Sequence, residues 1–505
     1  MFPSMPNFPR ITLLALLVTF IGRRCSANQK YGRDCGGIAR HVHLAVGPEP
    51  STSMTVSFAS HLSQNQAPVA GVRIGTSDGN LDRLVIEEEP ASCYNVTNDA
   101  TSTNTPYYSP FYHHVTIENL QPATEYYYKL EVHATLDMFD EEERRQRRHL
   151  KKSNECPSPY QIRSFTTAPE PGPNTRLTLA VMGDLGHSEY AKRTISSILN
   201  YSLREPVHAM ILGGDIAYTS NDPNGWDYWF DLMDDLPVAA SVPLMVSPGN
   251  HDIEGKPDGS IYLDYEHRFR MPRVKPPQLG LFKGRIGMNH VPYPLLYEYG
   301  NSYYAYTHGP ARMIMLNPFS SMEPHSTQYK WLCEELQTID RTRTPWVIVT
   351  IHTPLYTTFE KKHLDDLQMA VARQNLEPLF VAYSVNVVFS GHVHAYLRTS
   401  GVAYGEPNVK GPIYIIAGAT GHHAAGSFSW TGPEAWVQVR DATYFGHGML
   451  RIQNATHAVW SWVHTARSYT QTCNLAPDDL HPAILNELPA VDKPDSAVIS
   501  NQYFL

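Results

Sequence analysis

Three scarcities bound what this chain can be. Beyond its N-terminal segment it has no apolar run long enough to cross a bilayer as a helix, which argues against a membrane-spanning protein. Basic side chains are outnumbered, with 40 Lys and Arg against 49 Asp and Glu for a net charge of −9. No basic stripe of the size that a phosphate backbone recruits is present, so nucleic acid is a poor main partner and a small molecule a better one. Cysteine is sparse, six in 505 residues, and none falls in a pattern typical of a thiolate metal site or nucleophile. Cys333, inside the helix-like "QYKWLCEEL", reads as a core residue.

What is present points first to a compartment. "PRITLLALLVTFIGRRCSAN" has an apolar stretch from Ile11 to Ile21 behind Arg10 and ends in small residues at Ala27, the pattern of a cleaved secretory signal over residues 1–27. Glycosylation acceptor triplets begin at Asn95, Asn200 and Asn454. The final "SNQYFL" is neither a retention signal nor a lipid-anchor tail, so extracellular or lysosomal delivery is expected. Cleavage after Ala27 would leave Cys35, Cys93, Cys156, Cys333 and Cys473, an odd number. The 24 histidines admit two readings, an acidic workplace or ordinary solvated surface groups.

Composition then divides the chain. Residues 28–168 carry short alternating runs broken by turn signals ("HVHLAVG", "SMTVSFAS", "AGVRIGTS", "YYSPFYHHVTIENL", "EYYYKLEV", "YQIRSFTTA"), which predict an all-β sandwich. In "LQPATEYYYKLEV", the placing of Leu120, Pro122, Thr124 and Tyr126 resembles the turn before a fibronectin type III strand, where a tyrosine hydroxyl bonds back to the preceding loop. The charged "DMFDEEERRQRRHLKK" reads as a solvated insert, and 169–175 as a Pro-rich linker. From 176 to 470, five continuous apolar runs, "LTLAVMGD", "HAMILGGD", "VPLMVSPGNHD", "PWVIVTIH" and "VNVVFSGHVH", predict strands buried on both faces of an α/β domain. "HSEYAKRTISSILNYSLRE" and "STQYKWLCEELQTID" have helical spacing. "GPIYIIAGA", "GHGMLRIQ" and "HAVWSWVH" predict further strands, and 471–505 reads as a tail.

Each buried run ends in a metal-ligand residue type. In order these are Asp184, then Asp215 with Tyr218, then Asn250 with His251, then His352, then His392 with His394. One such residue alone is a cap or a turn residue; five occurrences at successive strand ends converge on one rim. So many carboxylates and imidazoles cannot be buried together without a cation. The set is too large for one ion, and two ions require a bridging ligand, a role the two oxygens of an aspartate can fill.

The ordered motifs "GDLG", "GDIAY", "GNHD", "VTIH" and "GHVH" resemble those of the metallophosphoesterases, and the tyrosine resembles the purple acid phosphatase branch. From about Gly36 to the 460s the chain is similar to the large two-domain members of that family. The resemblance implies a metallophosphoesterase-type β-sandwich flanked by helices, behind a fibronectin type III-like domain. It implies Fe(III) on Asp184, Asp215, Tyr218 and His394, and a divalent ion, Zn or Fe, on Asp215, Asn250, His352 and His392. The implied reaction is hydrolysis of a small phosphate monoester by a metal-bound hydroxide, with His251 contacting the phosphoryl group or protonating the leaving oxygen. Two segments depart from the family pattern. After "VTIH" only His363 is available, and "GATGHHAAG" places His422 and His423 where a more glycine-rich, acidic stretch is usual; all three are candidate substrate contacts. A Zn or Mn phosphodiesterase or nucleotidase, and an inactive secreted binding protein, remain the alternative readings.

Overall fold

The alternating runs at the front of the chain fold as short antiparallel strands, and the continuous apolar runs behind them as strands covered on both sides. In the computed structural model the described residues are 39–60, 68–96, 106–133, 161–219, 221–256, 258–272, 280–282, 291–298, 300–359, 366–422, 431, 434–467 and 494–504. The expected signal segment, the charged insert, Cys35, Cys156, Cys473, His363 and His423 lie outside them.

The first unit holds β1 (Ala39–Val46), β2 (Met54–Ser60), β3 (Val69–Gly75), β4 (Arg83–Ile86), β5 (Asn95–Val96), β6 (Tyr107–Tyr108), β7 (Phe111–Ile117), β8 (Glu125–His133) and β9 (Arg163–Thr166). Two antiparallel sheets, β1-β2-β7 and β4-β3-β8-β9, enclose one core that includes Leu44, Val56, Val115, Val72, Tyr128 and Leu130. That is a sandwich, as the alternation predicts. The Tyr126 hydroxyl accepts a hydrogen bond from the Gln121 N–H at 2.9 Å, closing the expected corner. Strand β4 was not anticipated: it lies at a sheet edge, its apolar run is only three residues long, and two of the three, Leu84 and Ile86, face solvent.

The second unit begins with β10 (Leu177–Met182), β11 (Ala209–Gly213) and β12 (Leu244–Ser247), followed by the short β13 (Ser260–Ile261) and β14 (Gly280–Leu281). It continues with β15 (Tyr304–His308), β16 (Ala311–Leu316), β17 (Trp346–Ile351), β18 (Val387–Ser390), β19 (Tyr396–Ala403), β20 (Glu406–Pro407), β21 (Ile413–Ala417) and β22 (Val437–Asp441). The last strands are β23 (Tyr444–Ile452), β24 (His457–Arg467) and β25 (Ser496–Ser500). Helices are α1 (Glu189–Ser202), α2 (Asn224–Asp235), α3 (Leu263–Arg268), α4 (Thr327–Gln337), α5 (Leu367–Asn375) and α6 (Glu377–Ala382). One sheet runs β12-β11-β10-β23-β24-β25; the other runs β15-β16-β17-β18-β21-β19-β20, with β22 on β19. Val181, Ile211 and Trp460 of the first share a core with Met313, Ile348, Phe389 and Ile415 of the second. The alternate residues Ile314, Val347, Val349 and Val388 pack instead with Leu332, Leu336 and Phe380 from α4 and α6. Apolar side chains therefore leave these strands in both directions, which is why their sequences are continuous rather than alternating.

Three expectations are corrected. Cys333 is free and only half-buried; on α4 the core positions are Leu332 and Leu336, and Cys333 falls beside that stripe. Within the stretch read as a tail, β25 completes the first sheet. Several histidines fit neither reading of their abundance: His43, His308 and His447 are core residues. Burial pushes their imidazoles down, to about 4 for His43, about 3 for His308 and about 4 for His447.

The two units meet through charge. Arg40 Nη2 lies 2.5 Å from Asp231 Oδ1, and the His41 N–H donates to Asp234 at 2.8 Å. Deeper in, fully buried Arg268 donates to Tyr107 Oη (3.0 Å) and Asp227 Oδ1 (3.2 Å) and also to the Tyr94 hydroxyl. Tyr94 donates to Asp264, which pairs with Lys256; Lys256 Nζ is 3.3 Å from Glu254, and Glu254 accepts from Thr219.

Candidate metal centre

The parallel strands point their carboxyl ends at one rim, the usual ligand position for such sheets. Asp184 and Asp215 follow β10 and β11 by two residues, Asn250 follows β12 by three, His352 directly follows β17, and His392 follows β18 by two. The backbone there is strained: Asp184, Asp215, Tyr218 and His392 have φ of 58°, 51°, 54° and 68°, a region that non-glycine residues adopt uncommonly and that clusters at functional sites. Glycines precede Asp184, Asp215 and His392, and Asn250 as well, because the motifs interlock. A Cβ on Gly249 would strike the Asp215 carboxylate, and one on Gly391 the Asp184 carboxylate.

Hydrogen bonds fix which atom each imidazole turns inward. His352 Nδ1 lies 2.8 Å from the Gly213 carbonyl, which can only accept, so Nδ1 carries the proton and Nε2 presents a lone pair. His392 Nε2 is held by Asp366 Oδ2 at 2.8 Å, which likewise turns its Nδ1 inward. Both inward nitrogens lie 3.0 Å from the same atom, Asn250 Oδ1. Asp215, His352 and His392 each offer an atom, all within 4.8 Å of one another. Lone pairs facing lone pairs at that spacing need a proton or a metal cation among them, so the donor set fits a metal ion.

Beside it, Tyr218 Oη is 2.7 Å from Asp184 Oδ1 and 2.7 Å from His394 Nε2. Burial, then the Asp184 and Asp215 carboxylates, push the Tyr218 phenol well above its ordinary value; it would lose its proton only to a strongly acidic cation. Burial alone would raise the Asp215 carboxyl, yet the His352 and His251 imidazoles hold it well below its ordinary value. Burial works downward on His352, but the Asp215 carboxylate brings it up to about 9, so with no metal ion a proton on Nε2 takes the place of the cation. Among the described residues, the charged partners of these carboxylates are imidazoles.

All seven ligand candidates, Asp184, Asp215, Tyr218, Asn250, His352, His392 and His394, thus gather at one rim. His251 joins them: its N–H donates to Asp215 Oδ1 at 2.7 Å, its ring packs on Tyr218 with centroids 4.5 Å apart, and Nδ1 is buried without a hydrogen-bond partner. His422 lies against the Tyr218 ring, with centroids 3.6 Å apart and planes within 2°. Asn95 and Asn200 are exposed and Asn454 is half-buried. Two functional side chains were missed. Asp366 sits in an acidic pair with no motif around it. Asp252, the last letter of "GNHD", accepts from the N–H groups of Gly249, Asp215 and Ile216 and so ties two ligand loops together.

Comparison with known proteins gives three family matches in chain order. Residues 39–143 match the "Purple acid Phosphatase, N-terminal domain", 177–396 the "Calcineurin-like phosphoesterase" and 411–471 the "Iron/zinc purple acid phosphatase-like protein C". Among curated relatives, "Probable purple acid phosphatase 20" of Arabidopsis thaliana is 30% identical over 426 residues, covering 83% of each chain. "Purple acid phosphatase 1" of Ipomoea batatas is 31% identical over 376 residues, 70% of this chain and 68% of that one. The structure of the yellow lupin (Lupinus luteus) seed protein PPD1 superimposes with a TM-score of 0.66 at 18% identity, over 92% of this chain and 74% of that one, which shows a shared fold.

Proposed function

The chain belongs to the purple acid phosphatase family, and from that premise we propose that it hydrolyses small phosphate monoesters at a centre of Fe(III) and one divalent ion, Zn or Fe. One observation carries the reading: the inward nitrogens of His352 and His392 and the Asn250 oxygen meet lone pair to lone pair, next to a phenol wedged between a carboxylate and an imidazole. Asp184, Tyr218 and His394 would hold the ferric ion, Asn250, His352 and His392 the divalent ion, and Asp215 would serve both. Hard carboxylate and phenolate oxygens suit Fe(III), and imidazoles with an amide oxygen suit the softer ion. When bound, the pair supplies Lewis acidity toward the phosphoryl oxygens and lowers the pKa of water.

The chain's own groups supply the rest. His251, anchored through its backbone at Asp215, keeps a ring nitrogen for the phosphoryl group or for the proton that the leaving oxygen needs. Asp366 and the Gly213 carbonyl hold the two imidazoles in the required tautomers. Asp252 keeps the Asp215 and Asn250 loops in register. The apolar leader and the acceptor triplets support synthesis through the secretory pathway, with extracellular or lysosomal delivery.

The test is metal analysis with a visible spectrum, alongside turnover of p-nitrophenyl phosphate in mild acid. The wild type is expected to contain iron, to absorb in the visible, and to lose turnover on His392→Ala. A metal-replete but colourless protein would favour the Zn or Mn diesterase reading, and unchanged turnover in the variant would remove the metal mechanism.

A further inference from the structure

The contact between His422 and Tyr218 is unusual for two aromatic rings. With centroids 3.6 Å apart and planes within 2°, they lie almost face to face, whereas neutral rings prefer offset or edge-on packing. The backbone imposes this arrangement. The His422 N–H donates to the carbonyl of Asp184 at 3.0 Å, the Ser188 hydroxyl to the carbonyl of Gly421 at 2.5 Å, and the Thr420 hydroxyl to the carbonyl of Gly183. All three bonds reach the segment from Gly183 to Ser188, the one that carries Asp184. Gly421 admits no side chain, since a Cβ there would run into the Leu185 carbonyl and Ala191. His394, the neighbour of Tyr218 at its oxygen, stands edge-on to both rings, at 82° to Tyr218 and 81° to His422. His422 is therefore fixed to the same frame as Asp184, and only a tenth or so of Tyr218 reaches solvent, 9%.

We propose that His422 is a positioning residue for Tyr218: its ring sets the plane of the phenol and keeps water from one face of it. The inference rests on Tyr218 being an iron ligand. Surroundings that exclude solvent govern how strongly a bound oxygen donates to its metal. Removing the His422 ring takes away no ligand, but it lets water reach the phenolate, and hydration weakens the phenolate as a donor.

The experiment compares iron content, visible absorption and steady-state kinetics of the wild type, His422→Ala and His422→Phe. With iron content unchanged, His422→Ala should move the visible band to shorter wavelength and lower kcat about tenfold, with KM little altered. His422→Phe, which restores a flat ring without the nitrogens, should return both toward the wild type. An unmoved band in His422→Ala with a raised KM would overturn the proposal in favour of a substrate contact. A band that stays shifted in His422→Phe would overturn it too, because stacking would not be the cause. Iron-replete wild type with no visible band would show, before any variant is made, that the reading of Tyr218 has failed, and the proposal with it.

Discussion

Two buried groups of ionisable side chains flank Thr219, and they are built in opposite ways. Around Arg268 the protein supplies its own counter-charges: Asp227 and Asp264 face the guanidinium, and Lys256 faces Asp264 and Glu254. Burial, then the nearby Asp264 carboxylate, pushes the Glu254 carboxyl up to about 8, so at neutral pH two cations face two anions. Around Asp184 and Asp215 the charged partners are imidazoles, and those of His352 and His392 are already committed on their outer side to Gly213 and Asp366. Balance marks the first group as structural, an interface between the two units. Imbalance marks the second as a site that requires a cation.

The strongest way to break this contrast is to unbalance the balanced group. Arg268→Met strands Asp227 in the interior, leaves Asp264 to Lys256 alone, and should cost about 3–5 kcal/mol of unfolding free energy in urea titrations. A loss near zero would mean that the network is no interface brace.

Buried groups outside both clusters sharpen the contrast through pH. His43, His308 and His447 have folded pKa values depressed below the unfolded value of about 6.5, so the unfolded chain binds more protons in that window. Stability is then full above about pH 6.5 and falls as pH drops toward the folded values. At one and a half units below, each imidazole accounts for about 2 kcal/mol, so His308→Leu should recover a loss of that order in thermal or urea unfolding near pH 5. An identical acid profile for the variant would show that His308 is not neutral in the fold.

An effect of the opposite pH sense is expected at Glu254. Its folded pKa is raised, so the folded state holds the extra proton, and stability is lost as pH rises from about 4.5 through about 8. Glu254→Gln should match the wild type in acid and gain on it by about 3 kcal/mol at neutral pH in the same assay. A destabilised variant at every pH would mean that Glu254 carries a charge that Lys256 needs.

The sequence discloses one of these two groups and hides the other, for a physical reason. The candidate metal ligands repeat a local device, a buried strand followed by a donor that glycine precedes in every case but His352, so Asp184, Asp215, Asn250, His352 and His392 can be read in order. The helices also announce themselves, through Ser188 and Ser326 as caps before amphipathic runs. Asp264 and Arg268 are one helical turn apart, but Tyr94 meets them only across 170 or more positions, so nothing short-range marks the group. Asp366 and His422 acquire roles only when separate loops close over the rim. Buried histidines are concealed for a related reason: the residue type signals polarity, while its burial is decided by the strand around it. The exposed edge strand β4 is the converse case, its three apolar residues too short a run to declare it and two of them facing solvent.

The strand β25 has a consequence for the order in which the molecule is made. Asp495, just before it, accepts from Tyr396 at 2.5 Å and pairs with Arg398 at 2.7 Å, while Asn501, just after it, accepts from Asn386 at 2.7 Å. These partners flank the strand end that carries His392 and His394, yet Asp495 is translated 99 positions after Tyr396. At ribosomal speeds that is a wait of roughly 5–20 s. During translation the first sandwich can finish while the candidate rim is still provisional, and the strand end that carries His392 and His394 gains these braces only when this late clasp arrives.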